Sequence, residues 1–556
     1  MRDKKRGLFL GAGLSLLGAI LGLAFAQTAA LARVDELAFG AFTDYRTGVK
    51  ELDEELLLIR ATLSRNKASF QGKTGTVSGF AAGTAYPQIW LRDAATIIPA
   101  SRFFYERPFL QSWLEEHLAF QKEDGGLEDW IDSRGKFDKN TTESDQEASA
   151  VRAAAEVSAI VGPAWLETKI EGETILSRLQ RALRFILDHR FDSSHGLVKG
   201  AHTADWGDVD LGRPDQSAIY ADASTHWTAD IYDQSEFYGA ARDLAKMLAA
   251  AGRRGESKFW DDRAALVRKS ADRWLWQGEK GFYRVHIHLD SLRHAFDEDA
   301  IFALGGNTEA INSGLASEEQ GRRIIETAVA RQKEFGVSTI SGVLLPPYPK
   351  GVFKHPMMDD PYEYQNGGQW DWFGAGLVRA MFEHGFSRLA REKLAEIARK
   401  NSANKGLYEW DTPGGQGRGS AFYSGSAGSL AGAIFEGYFG IKITRDSLTL
   451  EPRLNEDRAV IHVYLPAAGS FAAYVYQWDP KKRTVIFRFN SNIPGPGKVK
   501  ILMPLLRGGM ASAESLKKIE VRKDGAKTGF QTVVLNDDLY LIVETDFKNH
   551  TLEIKS

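Results

Sequence analysis

The sequence predicts a mainly helical protein, a toroid of helix hairpins followed by an antiparallel β domain, and three observations predict it. From about Val34 to Phe439, apolar residues recur at three- and four-residue spacing, the period of amphipathic helices. After Gly440 the texture changes to short alternating runs, SLTLEP, AVIHVYLP, FAAYVYQW, TVIFRFN, VKILMPL, KIEVRK and YLIVETD, which read as strands. The connections between helical runs also alternate. Some, such as His384 to Ser387, are very short, whereas others are long and rich in Gly, Trp, Asp and Pro. Tight turns at one end and long loops at the other give a ring with one ligand-binding face.

The helical template fits Glu51 to Arg65, Phe109 to Gln121, Ala148 to Val161, Ile175 to Asp188 and Phe237 to Ala251. It also fits Phe259 to Leu275, Glu319 to Gln332, Phe373 to Gly385, Ser387 to Asn401 and Gly428 to Gly440. Weaker candidates after Asp93 and after Asp297 bring the count to about twelve, enough for six hairpins. The predicted organisation is a helical domain over residues 34–440 and an antiparallel β-sandwich over 441–556.

Residues 1–26 read as an export signal. Basic RDKKR precedes the apolar run Gly7 to Ala26, which ends in Ala24-Phe25-Ala26, an A-x-A cleavage pattern. The alternative is an uncleaved anchor, because about 20 apolar residues span a bilayer. Either way the chain is expected outside the cytoplasm, periplasmic or secreted, and membrane-bound only if the segment is retained. Zero cysteines exclude disulfides and thiol catalysis, and a chain of this size can bury a core without such staples.

A length of 556 residues with 43% hydrophobic and 26% charged content is that of a globular chain with at least one large core. The net charge of -3, with no basic stripe, excludes a nucleic-acid binder. No phosphate-binding or dinucleotide glycine loop and no HExxH pair occurs, so no cofactor is expected. His286 and His288 alternate like strand residues with no third ligand in view, so no metal is expected. DKNTTESDQE, Asp138 to Glu147, lacks the central glycine of an EF-hand and reads as a solvated loop, with a place at the pocket rim in view.

Chemistry concentrates in three turn-rich segments: WLRD at Trp90 to Asp93, DWGD at Asp205 to Asp208, and YEWDTPGGQG at Tyr408 to Gly417. Cleaving a glycosidic bond takes one protonated carboxyl for the leaving oxygen and one ionised carboxylate to drive attack at the anomeric carbon. Tryptophan faces cover pyranose rings, Arg and Asp reach hydroxyls, and glycine admits close backbone approach. Asp208 and Glu409 are the candidate pair. Asp205 competes with Asp208 for the acid role, or otherwise binds a hydroxyl or tunes its neighbour.

On these residues the chain resembles the six-hairpin, (α/α)6-barrel glycoside hydrolases, a group with glucoamylase-like enzymes, amylo-1,6-glucosidases, trehalases and disaccharide phosphorylases. WLRDAATIIPA is similar to the first active-site loop, which implies that Arg92 and Asp93, beside Trp90, hold hydroxyls of the terminal sugar. DWGD resembles the loop of the general acid, implying Asp208 as acid with Asp205 and Trp206 lining substrate. YQNGGQWDW, Tyr364 to Trp372, resembles the segment lining the sugar pocket and adds Gln365, Asn366 and Trp370. YEWDTPGGQG resembles the late loop with the catalytic Glu, implying Glu409 and its neighbour Trp410. SGSAGSLAGAIFEGYFGI, Ser424 to Ile441, matches the closing helix of the barrel. Gly207 departs from the pattern, since relatives often carry Asn or Met there.

Each motif has a plainer reading: Arg92-Asp93 as a salt bridge or helix cap, DWGD as a tight turn, Glu409 as a hydrated loop carboxylate. The expected reaction is inverting hydrolysis of a terminal sugar, an α-glucoside by default, with the carboxyls about 6.5 to 9.5 Å apart. An inverting phosphorylase, a lyase and a non-catalytic carbohydrate-binding protein are the alternatives. Oligomeric state is not legible.

Overall fold

The computed structural model describes residues 37–135, 137–138, 145–207, 211, 221–455, 457–507 and 516–556. Residues 1–26, which read as an export signal, lie outside them. Among the described residues no helix is long and apolar enough to cross a membrane.

Twelve α-helices are described. They are α1 (Lys50–Arg65), α2 (Leu91–Ser101), α3 (Arg107–Ala119), α4 (Gln146–Val161), α5 (Ile175–His189) and α6 (Ile231–Ala250). The chain continues with α7 (Arg254–Trp274), α8 (Leu304–Asn312), α9 (Glu318–Phe335), α10 (Asp371–Glu383), α11 (Ser387–Asn404) and α12 (Ser424–Ala431), which runs on as a π-helical stretch, Gly432–Tyr438. Local chemistry sets several boundaries. Thr174 caps α5 through Ser177 N–H and Asp230 caps α6 through Asp233 N–H. Ser317 and Gln320 form a capping box on α9, and left-handed Gly336 ends it. The weak signals after Asp93 and Asp297 correspond to α2 and α8.

Packing sorts the helices by parity. The even-numbered ones make a closed circuit, α2 on α4, α4 on α6, α6 on α8, α8 on α10, α10 on α12, and α12 back on α2. The odd-numbered helices lie against this ring, α3 and α5 on α4, α7 on α6, α9 on α8, α11 on α10, and α1 on α11 and α12. Inner helices have neighbours on several sides, so α4 is rich in Ala, Ser and Val and α12 in Ser, Gly and Ala, and α4 buries most of its length. At Gly428 a Cβ would stand 2.0 Å from the Thr96 carbonyl oxygen, so only glycine lets α12 close on α2.

A long connection precedes each even-numbered helix, so these loops meet at the N-terminal ends of the ring helices. Buried Lys400 on α11 holds this end together. Its Nζ pairs with Asp371 in the first turn of α10, 2.8 Å away, and with Asp411 in the strand Trp410–Asp411. Asp411 also exchanges backbone hydrogen bonds with Gln369, 2.8 Å each way.

Two sheets follow. Strand β1 (Asp44–Arg46) precedes α1, and the rest lie beyond the ring: β2 (Ile441–Ile443), β3 (Leu448–Leu450), β4 (Ala459–Leu465), β5 (Ser470–Asp479), β6 (Thr484–Ser491), β7 (Pro496–Arg507), β8 (Glu520–Lys523), β9 (Ala526–Lys527), β10 (Gln531–Leu535), β11 (Asp538–Asp546) and β12 (His550–Lys555). The orders are β1-β4-β5-β6-β12-β8-β9 and β2-β3-β7-β11-β10. All pairs are antiparallel except β3 with β7, a parallel bridge at Leu450 and Val499. The strand β1, too short to show alternation, pairs Asp44 with His462 and so belongs to the sheet rather than to the helical part. Helices and sheets share one core. Tyr474 Oη donates to the Phe439 carbonyl at 2.8 Å, and Arg453 Nη1 donates to that of Gly437 at 2.8 Å.

Lys400→Met leaves two facing carboxylates in the interior. Breaking a buried pair in this way costs about 3 to 5 kcal/mol, so urea unfolding should show a loss of that order, while Lys400→Arg should recover part of it.

Candidate active site

One cavity at the loop end of the ring is lined by Ala82, Tyr86, Trp90, Arg92, Asp93, Trp206, Tyr364, Gln365, Trp370, Trp372, Glu409 and Tyr423. Seven of these, Trp90, Arg92, Asp93, Trp206, Gln365, Trp370 and Glu409, are residues singled out in the sequence, and ring closure brings them together. Arg92 and Asp93 come from the first turn of α2, with Trp90 as its extended N-cap residue. Trp370 occupies the same position before α10, and Tyr423 before α12.

Glu409 is a buried residue, 4% exposed, rather than a hydrated loop carboxylate. Tyr86 Oη donates to its Oε1 at 2.8 Å and Ser420 N–H donates to its Oε2 at 2.8 Å, fixing the plane of the carboxylate. Behind it stands Gly419 with φ +66, where a Cβ would lie 2.5 Å from Oε2, so both backbone conformation and space require glycine. Asp93 accepts from Tyr423 Oη at 2.7 Å. Burial first, then the charges of Asp93 and Glu409, hold the Tyr423 phenol well above the usual tyrosine range, so it remains a donor.

Arg92 does not pair with its neighbour Asp93. Its Nη1 reaches Asp145 Oδ2 at 3.2 Å and the Trp206 carbonyl at 3.1 Å, and its guanidinium lies over Trp372, 5.7 Å from the ring centroid. Asp145, Gln146 and Glu147, at the start of α4, are buried, which corrects the solvated reading for these three residues; residues 139–144 of that stretch lie outside the described residues. An apolar run alone could not show that Arg92 supplies the charge opposite Asp145. The tryptophans make the apolar wall: Trp206 meets Trp370 edge to face with centroids 5.5 Å apart, and Trp370 Nε1 donates to the Tyr364 carbonyl at 3.0 Å.

Other sequence candidates are placed elsewhere. Asp208 lies outside the described residues. Asp205 does not line the cavity. It has φ +57, is buried, and accepts from Gly306 N–H at 2.9 and 3.1 Å, tying its loop to the start of α8. Asn366 is turned into the protein as well. Its Oδ1 accepts from Tyr348 N–H at 2.8 Å, and its Nδ2 donates to the carbonyls of Tyr348 and Met358 at 3.2 and 2.9 Å. Trp410 stands outside the lining, with its ring 6.4 Å from that of Tyr364. At Gly207 a Cβ would meet Thr203 Oγ1 at 2.6 Å and Gln365 Oε1 at 2.9 Å, so a larger residue here would have to displace those side chains.

Tyr86, Trp372 and Tyr423 were missed. Trp372 falls in a quoted motif and Tyr423 beside one, but Tyr86 sits in a loop with no local signal. His202 and His294 join His286 and His288 around Glu298, a grouping that the sequence did not reveal.

A ring of helices whose loop ends gather a hydrogen-bonded carboxylate, the adjacent side chains of Arg92 and Asp93 and a tryptophan wall defines the class: this is a glycoside hydrolase. The chain belongs to the family of the mannosylglycerate hydrolase MGH1-like glycoside hydrolase domain, whose model matches residues 86–426, more than half of its length. It is similar to the cytosolic neutral trehalase of Kluyveromyces lactis, 27% identical over 139 residues, which are 24% of this chain and 17% of that protein. It is also 29% identical over 156 residues to the N,N'-diacetylchitobiose phosphorylase of Vibrio proteolyticus, which are 28% of this chain and 17% of that one. The chain thus spans less than a fifth of either relative. Among solved structures, the α-L-rhamnosidase from Dictyoglumus thermophilum superposes with a TM-score of 0.63 at 12% identity, covering 93% of this chain and 50% of that one. A GH63 mannosylglycerate hydrolase from Thermus thermophilus superposes with a TM-score of 0.51 at 16% identity, covering 68% of this chain and 99% of that one. These neighbours fit a glycosidase toroid.

Burial, partly opposed by the Gly306 N–H, pushes the Asp205 carboxyl up to about 8. Its folded value lies above the unfolded one, so the folded state keeps a proton that the unfolded state releases. Stability from this group is fully present below about pH 4 and is lost as pH rises to about 8, by up to about 1.4 kcal/mol per pH unit. Asp205→Asn should flatten the pH dependence of unfolding free energy across that window.

Proposed function

We propose that this protein is an inverting glycosidase that removes a terminal sugar, an α-glucoside by default, from an oligo- or polysaccharide. The even-numbered helices are then the inner circle of an (α/α)6 toroid of six hairpins over residues 34–440, and the C-terminal sheets, over 441–556, a structural β-sandwich. The observation that carries the reading is Glu409, buried and held by two donors in the cavity that also contains Arg92, Asp93 and four tryptophans.

In this reading Arg92 and Asp93 fix the terminal sugar against Trp90, Trp206 and Trp370, with Gln365 on a hydroxyl. Glu409 activates a water on the face opposite the leaving group, and Asp208 protonates the departing oxygen. Asp205 is assigned a structural role, because its carboxylate is turned to α8. The match to a mannosylglycerate hydrolase family makes mannosylglycerate the first rival substrate to an α-glucoside. Export across a membrane follows from the N-terminal segment, with the mature chain periplasmic or secreted, or anchored if the segment is retained. Fractionation of expressing cells tests that part.

Glu409→Gln and Asp208→Asn should each lower kcat at least about a hundredfold, since a positioned base or acid typically supplies 10² to 10⁴, with unchanged thermal unfolding. A dead Asp205→Asn beside an active Asp208→Asn would move the acid three residues upstream.

A panel of α- and β-glucosides and mannosides, including mannosylglycerate, followed by proton NMR with and without phosphate, should show release of a sugar of inverted anomeric configuration independent of phosphate. Retention of configuration, or turnover only with phosphate, would replace the inverting hydrolysis reading.

A further inference from the structure

Four of the twelve histidines of the chain converge on a single carboxylate away from the sugar cavity. His286 and His288 are alternate residues of one strand, so their side chains leave the same face, and that strand pairs with Trp227–Asp230 and through it with Gly200–Ala201. His202 follows directly on Gly200–Ala201. The turn after the strand His286–His288 brings back His294 and Glu298. A buried group from one edge of a three-stranded sheet, another from the far edge, and two from the returning loop thus meet at one point.

The distances are those of a coordination shell. His202 Nε2 lies 3.0 Å from His294 Nε2 and 3.3 Å from Glu298 Oε1, and His294 Nε2 lies 3.6 Å from the same oxygen. His288 Nε2 is 2.7 Å from Glu298 Oε2. One ligand atom from each of His202, His288, His294 and Glu298 falls within 4.8 Å of all the others. A tetrahedral zinc ion with bonds near 2.0 to 2.1 Å sets its ligands about 3.3 Å apart. Hydrogen bonding alone serves the group poorly. A neutral imidazole nitrogen is either donor or acceptor, yet His202 Nε2 faces both a second imidazole nitrogen and a carboxylate oxygen. Tyr348 Oη and His286 Nε2, at 2.8 and 3.0 Å from Glu298 Oε1, hold the carboxylate from outside, as outer partners of a metal ligand do.

We propose that His202, His288, His294 and Glu298 bind one zinc-class divalent cation. Four protein ligands close the site, so the ion is structural rather than catalytic. It ties the Gly200–Ala201 strand, and with it the segment entering Asp205 and Trp206, to the strand His286–His288 and the turn at Glu298. Asn366 supports the same assembly, since it fixes the backbone of Tyr348. The chemistry of three imidazoles and one carboxylate suits zinc and disfavours calcium or magnesium, which take oxygen ligands.

The test uses the full chain. Elemental analysis of purified protein should find about one zinc-class ion per chain. After chelator treatment and dialysis, Zn²⁺ should rebind at that ratio and raise the unfolding temperature, and Co²⁺ should give the visible absorption of a tetrahedral site. His294→Ala, on the more accessible side of the cluster, should abolish the Co²⁺ band and the thermal shift. His226→Ala, which removes a neighbouring imidazole outside the ligand set, should leave both intact. Should His294→Ala fail to fold, Glu298→Gln serves the same comparison. Substoichiometric metal, no Co²⁺ band and no Zn²⁺-dependent thermal shift in the wild-type chain would overturn the proposal, as would a band that persists in both ligand variants. None of these readouts depends on glycosidase activity, so a failed substrate assignment leaves the result intact.

Discussion

Closure of the helical ring is the constraint on which the rest depends. The last helix must return to the first, and at the seam α12 approaches α2 so closely that the Thr96 carbonyl occupies the space of a side chain at Gly428. Once that contact forms, residues near 90 and residues near 420 are neighbours. Tyr423 can then donate to Asp93, and Tyr86 to Glu409, across separations of 330 and 323 residues. A larger residue at the seam would force the ring open and separate the two halves of the cavity before any catalytic group was touched.

The chain then uses buried charge to hold the loop end of the ring in register. Lys400 spans two carboxylates, one at the start of α10 and one beside Glu409, while Arg92 spans Asp145 and the Trp206 carbonyl. Such pairs contribute little net stability compared with an apolar core of the same shape, because their desolvation is costly. Their geometric demand is strict, since a buried charge tolerates no alternative partner. That strictness is useful where loops, otherwise the least ordered part of a fold, have to present a carboxylate and a row of tryptophans to a ligand.

The region under the DWGD loop follows the same logic by other means. Asp205, in a left-handed conformation, fastens the loop to the N-terminal turn of α8, and His202 of the histidine-carboxylate cluster lies just before it in the chain. Backbone strain at one residue is tolerated because the surrounding contacts over-determine it. The described residues that lead up to the candidate acid are therefore anchored at Asp205 by contacts outside the sugar cavity.

Periodicity by itself determined that the chain is helical to about residue 440 and stranded beyond, because burial on one face imposes a period of 3.6 or 2 that survives without any knowledge of neighbours. Residue types located the short motifs, since WLRD, DWGD, NGGQW and YEWD combine side chains that packing alone does not select. What each motif residue does was not legible. Asn366 and Asp205 look as suited to a sugar as Arg92 and Glu409, yet the fold turns the first two inward, to a backbone and a helix end, and leaves the others on the cavity. His286 and His288 looked isolated because their partners lie far upstream at His202 and a turn downstream at His294 and Glu298. Side-chain direction and long-range neighbours arise from ring closure and strand pairing, which bring together residues whose spacing in the chain carries no trace of the meeting.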